Sequence, residues 1–110
     1  MEHNKMMENI SFQMVSSVNE ARTLYLQAVQ AARGGAFERA AVLIENGDAA
    51  YSVGHAAHTQ LLQMEAAGET DAVNLLILHA EDQLMSAENY KVLAIECVHL
   101  YRAIEKAAQK

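Results

Sequence analysis

The sequence contains no proline, no tryptophan and a single cysteine among 110 residues. Without proline, nothing in the chain forces a helix to stop or kink. One cysteine excludes an internal disulfide and fits a reducing compartment. Basic residues are few and scattered, 8 against 14 acidic, for a formal charge of −6. That distribution lacks the basic stripe that a phosphate backbone demands, which argues against nucleic acid as a partner. Apolar runs such as Leu75–Leu78 fall far short of the ~20 residues that cross a bilayer. No signal-peptide h-region follows the N-terminus. The expectation is a cytoplasmic chain with no direct membrane insertion.

Aromatics make up only 5% of the chain and glycines number 5, whereas 52% of residues are apolar and alanine alone supplies 20. Such a composition is neither disordered nor collagenous, and it favours helix almost throughout. The length allows one domain, residues 1–110, and no second core. Met1–Glu8 is polar and Met-rich and reads as a frayed end.

A helical period starts with Ile10 and continues through Met14, Ala21, Leu24, Tyr25, Ala28 and Ala32. It stops at Gly34-Gly35, a C-cap and turn signal. Phe37 opens a second run, whose stripe passes through Ala40, Ala41, Ile44, Asp48, Tyr51, His55, His58 and Leu62. Gly47 and Gly54 lie inside that run, each costing ~1 kcal/mol relative to Ala. No loop-like cluster surrounds either, so one continuous helix is expected. The second break is Ala66–Asp71, with Thr70 or Asp71 as N-cap.

The third run, from about Ala72 to Ala108, carries two apolar stripes about 100° apart at the helical rotation of ~100° per residue. One holds Val73, Leu76, Ile77, Ala80, Leu84, Ala87, Ala94, Val98 and Tyr101. The other holds Leu75, His79, Ser86, Tyr90, Leu93, Cys97, Leu100 and Ile104. Glu81, Glu88, His99 and Lys106 fall on the remaining, solvent-facing arc. A helix in an isolated three-helix bundle needs one stripe. Two stripes imply a second surface to bury, most simply against another copy of the chain.

His79 lies in the middle of the second stripe. An arbitrary histidine so placed is a core residue with satisfied ring nitrogens. Its neighbours open a sharper reading. Asp82 and Gln83 follow three and four residues on and share its helix surface, and Ser86 continues the row. A carboxylate on a face built for burial is costly unless paired or metal-bound. Near a rotation axis, copies of Asp82 would meet, and they would take up protons or share a cation. His55 and His58, spaced i, i+3, could serve a metal but lack a third ligand on their helix. Glu96-Cys97-Val98-His99 matches the Glu-x-x-His element of di-iron bundles, but those need two such elements. Cys97 has no adjacent cation and reads as an inert hydrophobe.

Three segments, in order, resemble the lactose/cellobiose-type enzyme IIA proteins of the bacterial sugar phosphotransferase system. Leu78-His79-Ala80-Glu81-Asp82-Gln83-Leu84-Met85 is similar to their active-site pattern His-Ala-Gln-Asp-His-Leu-Met. Ala21-Arg22-Thr23-Leu24 with Gly35-Ala36-Phe37 is similar to Ala-Arg-Ser-Leu and Gly-Asp-Phe. His55-Ala56-Ala57-His58-Thr59 is similar to His-x-x-Gln-Thr. The resemblance runs from about residue 15 to the C-terminus. It departs from the pattern at Glu81 (for Gln), Gln83 (for His) and His58 (for Gln).

The resemblance implies an all-α fold, an antiparallel three-helix bundle assembling as a homotrimer of nine helices with third helices near the axis. It implies that His79 is phosphorylated on Nε2 by the HPr phosphocarrier. His79 would pass the group to enzyme IIB and, through it, serve the membrane enzyme IIC in uptake of cellobiose, diacetylchitobiose or lactose. It further implies that Asp82 from three chains shares a divalent cation, Mg²⁺, at the axis. Two alternatives stand beside this reading. One is a non-catalytic helical oligomerisation module. The other is a metal-binding bundle using His55, His58, Glu96 and His99.

Overall fold

A computed structural model describes residues 2–69 and 75–109, with side chains from Lys5 onward. Three helices run up, down and up: α1 (Glu2–Arg33), α2 (Phe37–Ala66) and α3 (Leu75–Ala108). Together they form a slab measuring 64 × 19 × 16 Å. Helix α2 runs unbroken through Gly47 and Gly54, as expected. Helix α1 reaches back to Glu2, so the opening stretch expected to fray is helical. The reason is packing: Met7 is buried in a cluster with Ile10, Leu61, Met64 and Ala80.

Both helix ends preceding a break close with the same device. At the first, Ala36 N–H donates to Ala31 O (2.9 Å) and Gly35 N–H to Ala32 O (3.0 Å). At the second, Glu69 N–H donates to Met64 O (2.9 Å) and Gly68 N–H to Glu65 O (3.0 Å). These are Schellman motifs, which need a left-handed residue at the penultimate position. Gly35 (φ +83°) and Gly68 (φ +74°) supply it without a Cβ clash. The expected N-cap at Thr70 or Asp71 lies outside the described residues, as does the start of the third run at Ala72.

The buried face of α2 is rotated from the expected stripe. It runs through Ala40, Leu43, Gly47, Gly54, Ala57, Leu61 and Met64. Ala41, His55 and Leu62 are exposed. The glycines explain the shift: α1 side chains fill the space over them, so the helix buries its least hydrophobic-looking positions.

Helix α3 leans chiefly on α1 and less on α2. Its first stripe is the packed one, with Ala80, Leu84, Ala87 and Ala94 buried. Its second stripe faces outward: Leu75 is 81% exposed, and Leu93, Leu100 and Ile104 are all more than half exposed. The two stripes therefore separate in the structure as the sequence indicates, one internal and one open.

Candidate functional site

His79 sits in the second turn of α3, four residues after Leu75, with its side chain exposed on the open stripe. Asp82 follows on the same side and is also exposed, while Gln83 and Ser86 are half-buried. The row proposed from spacing is thus assembled by the helix itself. An exposed imidazole is free to meet another molecule, and neutral imidazole is a nucleophile near pH 7.

Helix α1 contributes Arg22, from the Ala21-Arg22-Thr23-Leu24 segment, a residue to which spacing alone assigns no role. Its Nη1 donates to Gln83 Oε1 and lies 3.5 Å from Asn19 Oδ1. Its guanidinium carbon stands 4.8 Å from the Tyr90 ring centroid, a cation–π contact. Gln83 and Tyr90 are seven apart on α3, so one arginine spans two turns of the open face. Its Nε is buried and has no hydrogen-bond partner among the described residues.

On the other side of α3, Glu81 does not point to solvent. Its carboxylate lies 2.8 Å from His58 Nε2 on α2. This corrects the expectation of an outward Glu81: the α2–α3 crossing brings it over His58. Farther along, Tyr25 donates its hydroxyl to Asp48 at 2.7 Å. Lys91 Nζ approaches the same carboxylate oxygen at 3.2 Å. Burial, then the hydrogen bond to Asp48 and its negative charge, pushes the Tyr25 phenol well above its ordinary range. Burial, with Glu88 nearby, raises the Tyr51 phenol as well. These groups tie the three helices together, and none of them lies on the His79 row.

The structure does not assemble the four-residue metal site. The His55 and His58 rings lie tilted to one another with centroids 6.4 Å apart, and His58 is engaged with Glu81. Glu96 and His99 are exposed farther along α3. Among the described residues, no three histidine, cysteine or carboxylate side chains converge to hold a metal ion. Asp82 offers a single hard oxygen donor group per chain, without an ion-pair partner among the described residues. It suits a cation such as Mg²⁺ only if carboxylates from separate copies combine. Cys97 is a half-buried free thiol. No described helix is long and apolar enough to cross a membrane.

Residues 9–102 match the family described as the lactose/cellobiose-specific IIA subunit of the PTS system. The chain is 37% identical over 95 residues to the oligo-beta-mannoside-specific EIIA component of Bacillus subtilis, covering 86% of each chain. It is 33% identical over 93 residues to the lactose-specific EIIA component of Staphylococcus aureus, covering 84% of this chain and 90% of that one. Its backbone superimposes on the crystal structure of the cellobiose-specific enzyme IIA from Bacillus anthracis with a TM-score of 0.88. That match has 34% identity and covers 91% and 92% of the two chains.

Proposed function

Because the chain belongs to the lactose/cellobiose-specific IIA family of sugar phosphotransferase systems, we propose that it is a cytoplasmic phosphoryl carrier working through His79. It takes a phosphoryl group from phospho-HPr and passes it to enzyme IIB, for uptake of a disaccharide such as cellobiose, diacetylchitobiose or lactose. The observation that carries this reading is the solvent-open imidazole of His79, in the segment that resembles the family's active-site pattern.

The chemistry is a pair of displacements at phosphorus. Neutral His79, protonated on Nδ1, attacks through Nε2. The Nε2–P bond forms as the donor histidine's N–P bond breaks, and the donor ring leaves with that electron pair. A cysteine thiolate of enzyme IIB then attacks the same phosphorus, and His79 departs as neutral imidazole. Such transfers depend on in-line access and on stabilising the equatorial oxygens. An exposed helix face gives the access.

The open stripe of α3 supports assembly as a homotrimer, with third helices facing one another. Leu93, Leu100 and Ile104 would be covered there. Each is a little over half exposed in the protomer, so covering it contributes roughly 1–2 kcal/mol. Asp82 carboxylates would meet at the axis, where a shared divalent cation, Mg²⁺ by its preference for oxygen donors, neutralises their repulsion. The rival reading, a helical oligomerisation module without chemistry, uses the same face but leaves His79 inert.

The test is mass analysis after mixing the protein with phosphoenolpyruvate, enzyme I and HPr. One acid-labile phosphoryl group per chain, mapped to His79, is the expected result. A folded oligomer that takes up none would overturn the carrier reading in favour of the module.

A further inference from the structure

We propose that Gln83 donates a hydrogen bond from its amide Nε2 to the phosphoryl group on His79, and that Arg22 is the positioning residue that orients the amide. This rests on the carrier reading and adds a named contact to it.

The argument begins with Arg22. A guanidinium has only donors, so the group facing Arg22 Nη1 must be the Gln83 oxygen. The usual ambiguity of a carboxamide is thereby removed, and its NH₂ is turned away from Arg22 with hydrogens to give. Gln83 follows His79 by four residues, the spacing at which helix side chains stand beside each other. Long side chains on a helix lean toward its N-terminus, which carries the Gln83 amide toward His79. No described residue accepts from that NH₂.

The charge on Arg22 strengthens the contact. Two other cations are satisfied locally: Lys91 by Asp48 and Arg102 by the face of Phe37 at 5.1 Å. Arg22 is held only by neutral groups, namely Gln83, Asn19 and the Tyr90 ring. No carboxylate lies within ion-pair distance of it among the described residues. A half-buried cation with one N–H unsatisfied favours arrival of an anion nearby. By donating to the amide oxygen it also polarises the amide, which makes the NH₂ a stronger donor. A phosphoryl group on the neighbouring imidazole brings the negative charge and the acceptor oxygens.

The test compares the full-length protein with Gln83→Glu, Gln83→His and Arg22→Gln. Gln83→Glu keeps a partner for Arg22 but has nothing to donate. Gln83→His restores an N–H. On phosphorylation of the unsubstituted chain, the Gln83 side-chain amide resonances should shift. Transfer from phospho-HPr should slow about 10- to 100-fold in Gln83→Glu, the loss expected for one hydrogen bond to a charged group. It should recover most of its speed in Gln83→His. In Arg22→Gln the transfer slows and the Gln83 amide shift shrinks. Phosphorylation that leaves the Gln83 amide unmoved, or Gln83→Glu transferring at the unsubstituted rate, would overturn this proposal alone. If the unsubstituted chain accepts no phosphoryl group, the proposal and the carrier reading both fall.

Discussion

The ring of Tyr25 occupies the place where a side chain at residue 47 would be. A Cβ built on Gly47 would lie 2.7 Å from Tyr25 Cε1 and 2.9 Å from Cδ1. The ring is fully buried and its hydroxyl is tied to Asp48, so it has nowhere to swing. Gly47→Ala gains ~1 kcal/mol of helix propensity and loses roughly 1–3 kcal/mol to overpacking. The expected result is a lower melting temperature by thermal denaturation. Gly54→Ala meets Val18 Cγ1 at 2.7 Å; Val18 is fully buried and its branched side chain is stiff, so a comparable cost is expected. A Gly47→Ala protein that melts higher would refute the close seat.

Two departures from the family pattern turn out to face each other. His58 stands for Gln and Glu81 stands for Gln, and the two side chains pair across α2 and α3 at 2.8 Å. The pair is partly exposed, so its coupling should be about 0.2–1 kcal/mol. A double-mutant cycle with His58→Gln, Glu81→Gln and the double variant measures it by chemical denaturation. Zero coupling would show that the two replacements are independent.

Alkaline pH should loosen the bundle through Tyr25. Its folded phenol holds the proton more tightly than the unfolded value of 10.0. The associated stability is therefore fully present below pH 10 and is lost as pH rises through the folded value. Tyr25→Phe removes this contribution and leaves that of Tyr51, whose phenol is also raised. It costs about 0.5–1.5 kcal/mol at neutral pH for the lost hydrogen bond, since Asp48 keeps Lys91. Denaturation midpoints at neutral pH and above pH 10, in both proteins, check the sign.

His79→Ala should fold normally, because the side chain is exposed and such changes stay within about 0.5 kcal/mol. It should accept no phosphoryl group in the enzyme I–HPr assay. A normally phosphorylated variant would move the site elsewhere.

Asp82→Leu should keep the assembled state. In the proposed trimer, an apolar residue at the axis would remove the carboxylate repulsion together with the need for a cation. Light scattering coupled to size exclusion reads the outcome, with and without a chelator. Dissociation of this variant would mean that the cation, and not the apolar stripe, holds the copies together.

Sequence periodicity makes α1 and α3 legible because their buried positions, apart from Ser11, are apolar and regularly spaced. The separation of the α3 stripes and the His79 row followed directly from that spacing. The buried face of α2 is not legible in the sequence because Gly47 and Gly54 carry no hydrophobic signal, yet they are buried under Tyr25 and Val18. Arg22 was legible as part of a motif, but its contact with Gln83 joins residues 61 positions apart. A helical wheel puts Glu81 toward solvent because it shows only one helix, and its partner His58 belongs to another.

The buried positions have one more property. In α1, Met7, Met14, Ala21 and Ala28 form one series, and Ser11, Val18, Tyr25 and Ala32 form another. In α2 the series are Ala40, Gly47, Gly54 and Leu61, then Leu43, Ala57 and Met64, with half-buried Ala50 at the step between Leu43 and Ala57. In α3 Ala80, Ala87 and Ala94 repeat likewise. All are heptads. A straight α-helix drifts ~20° per heptad against such a repeat, so helices that keep it must coil left-handedly about one another. The outward row of His79, Ser86, Leu93 and Leu100 has the same period. It is a winding ridge rather than a flat patch, and the surface that covers its full length must share its pitch, as another helix does.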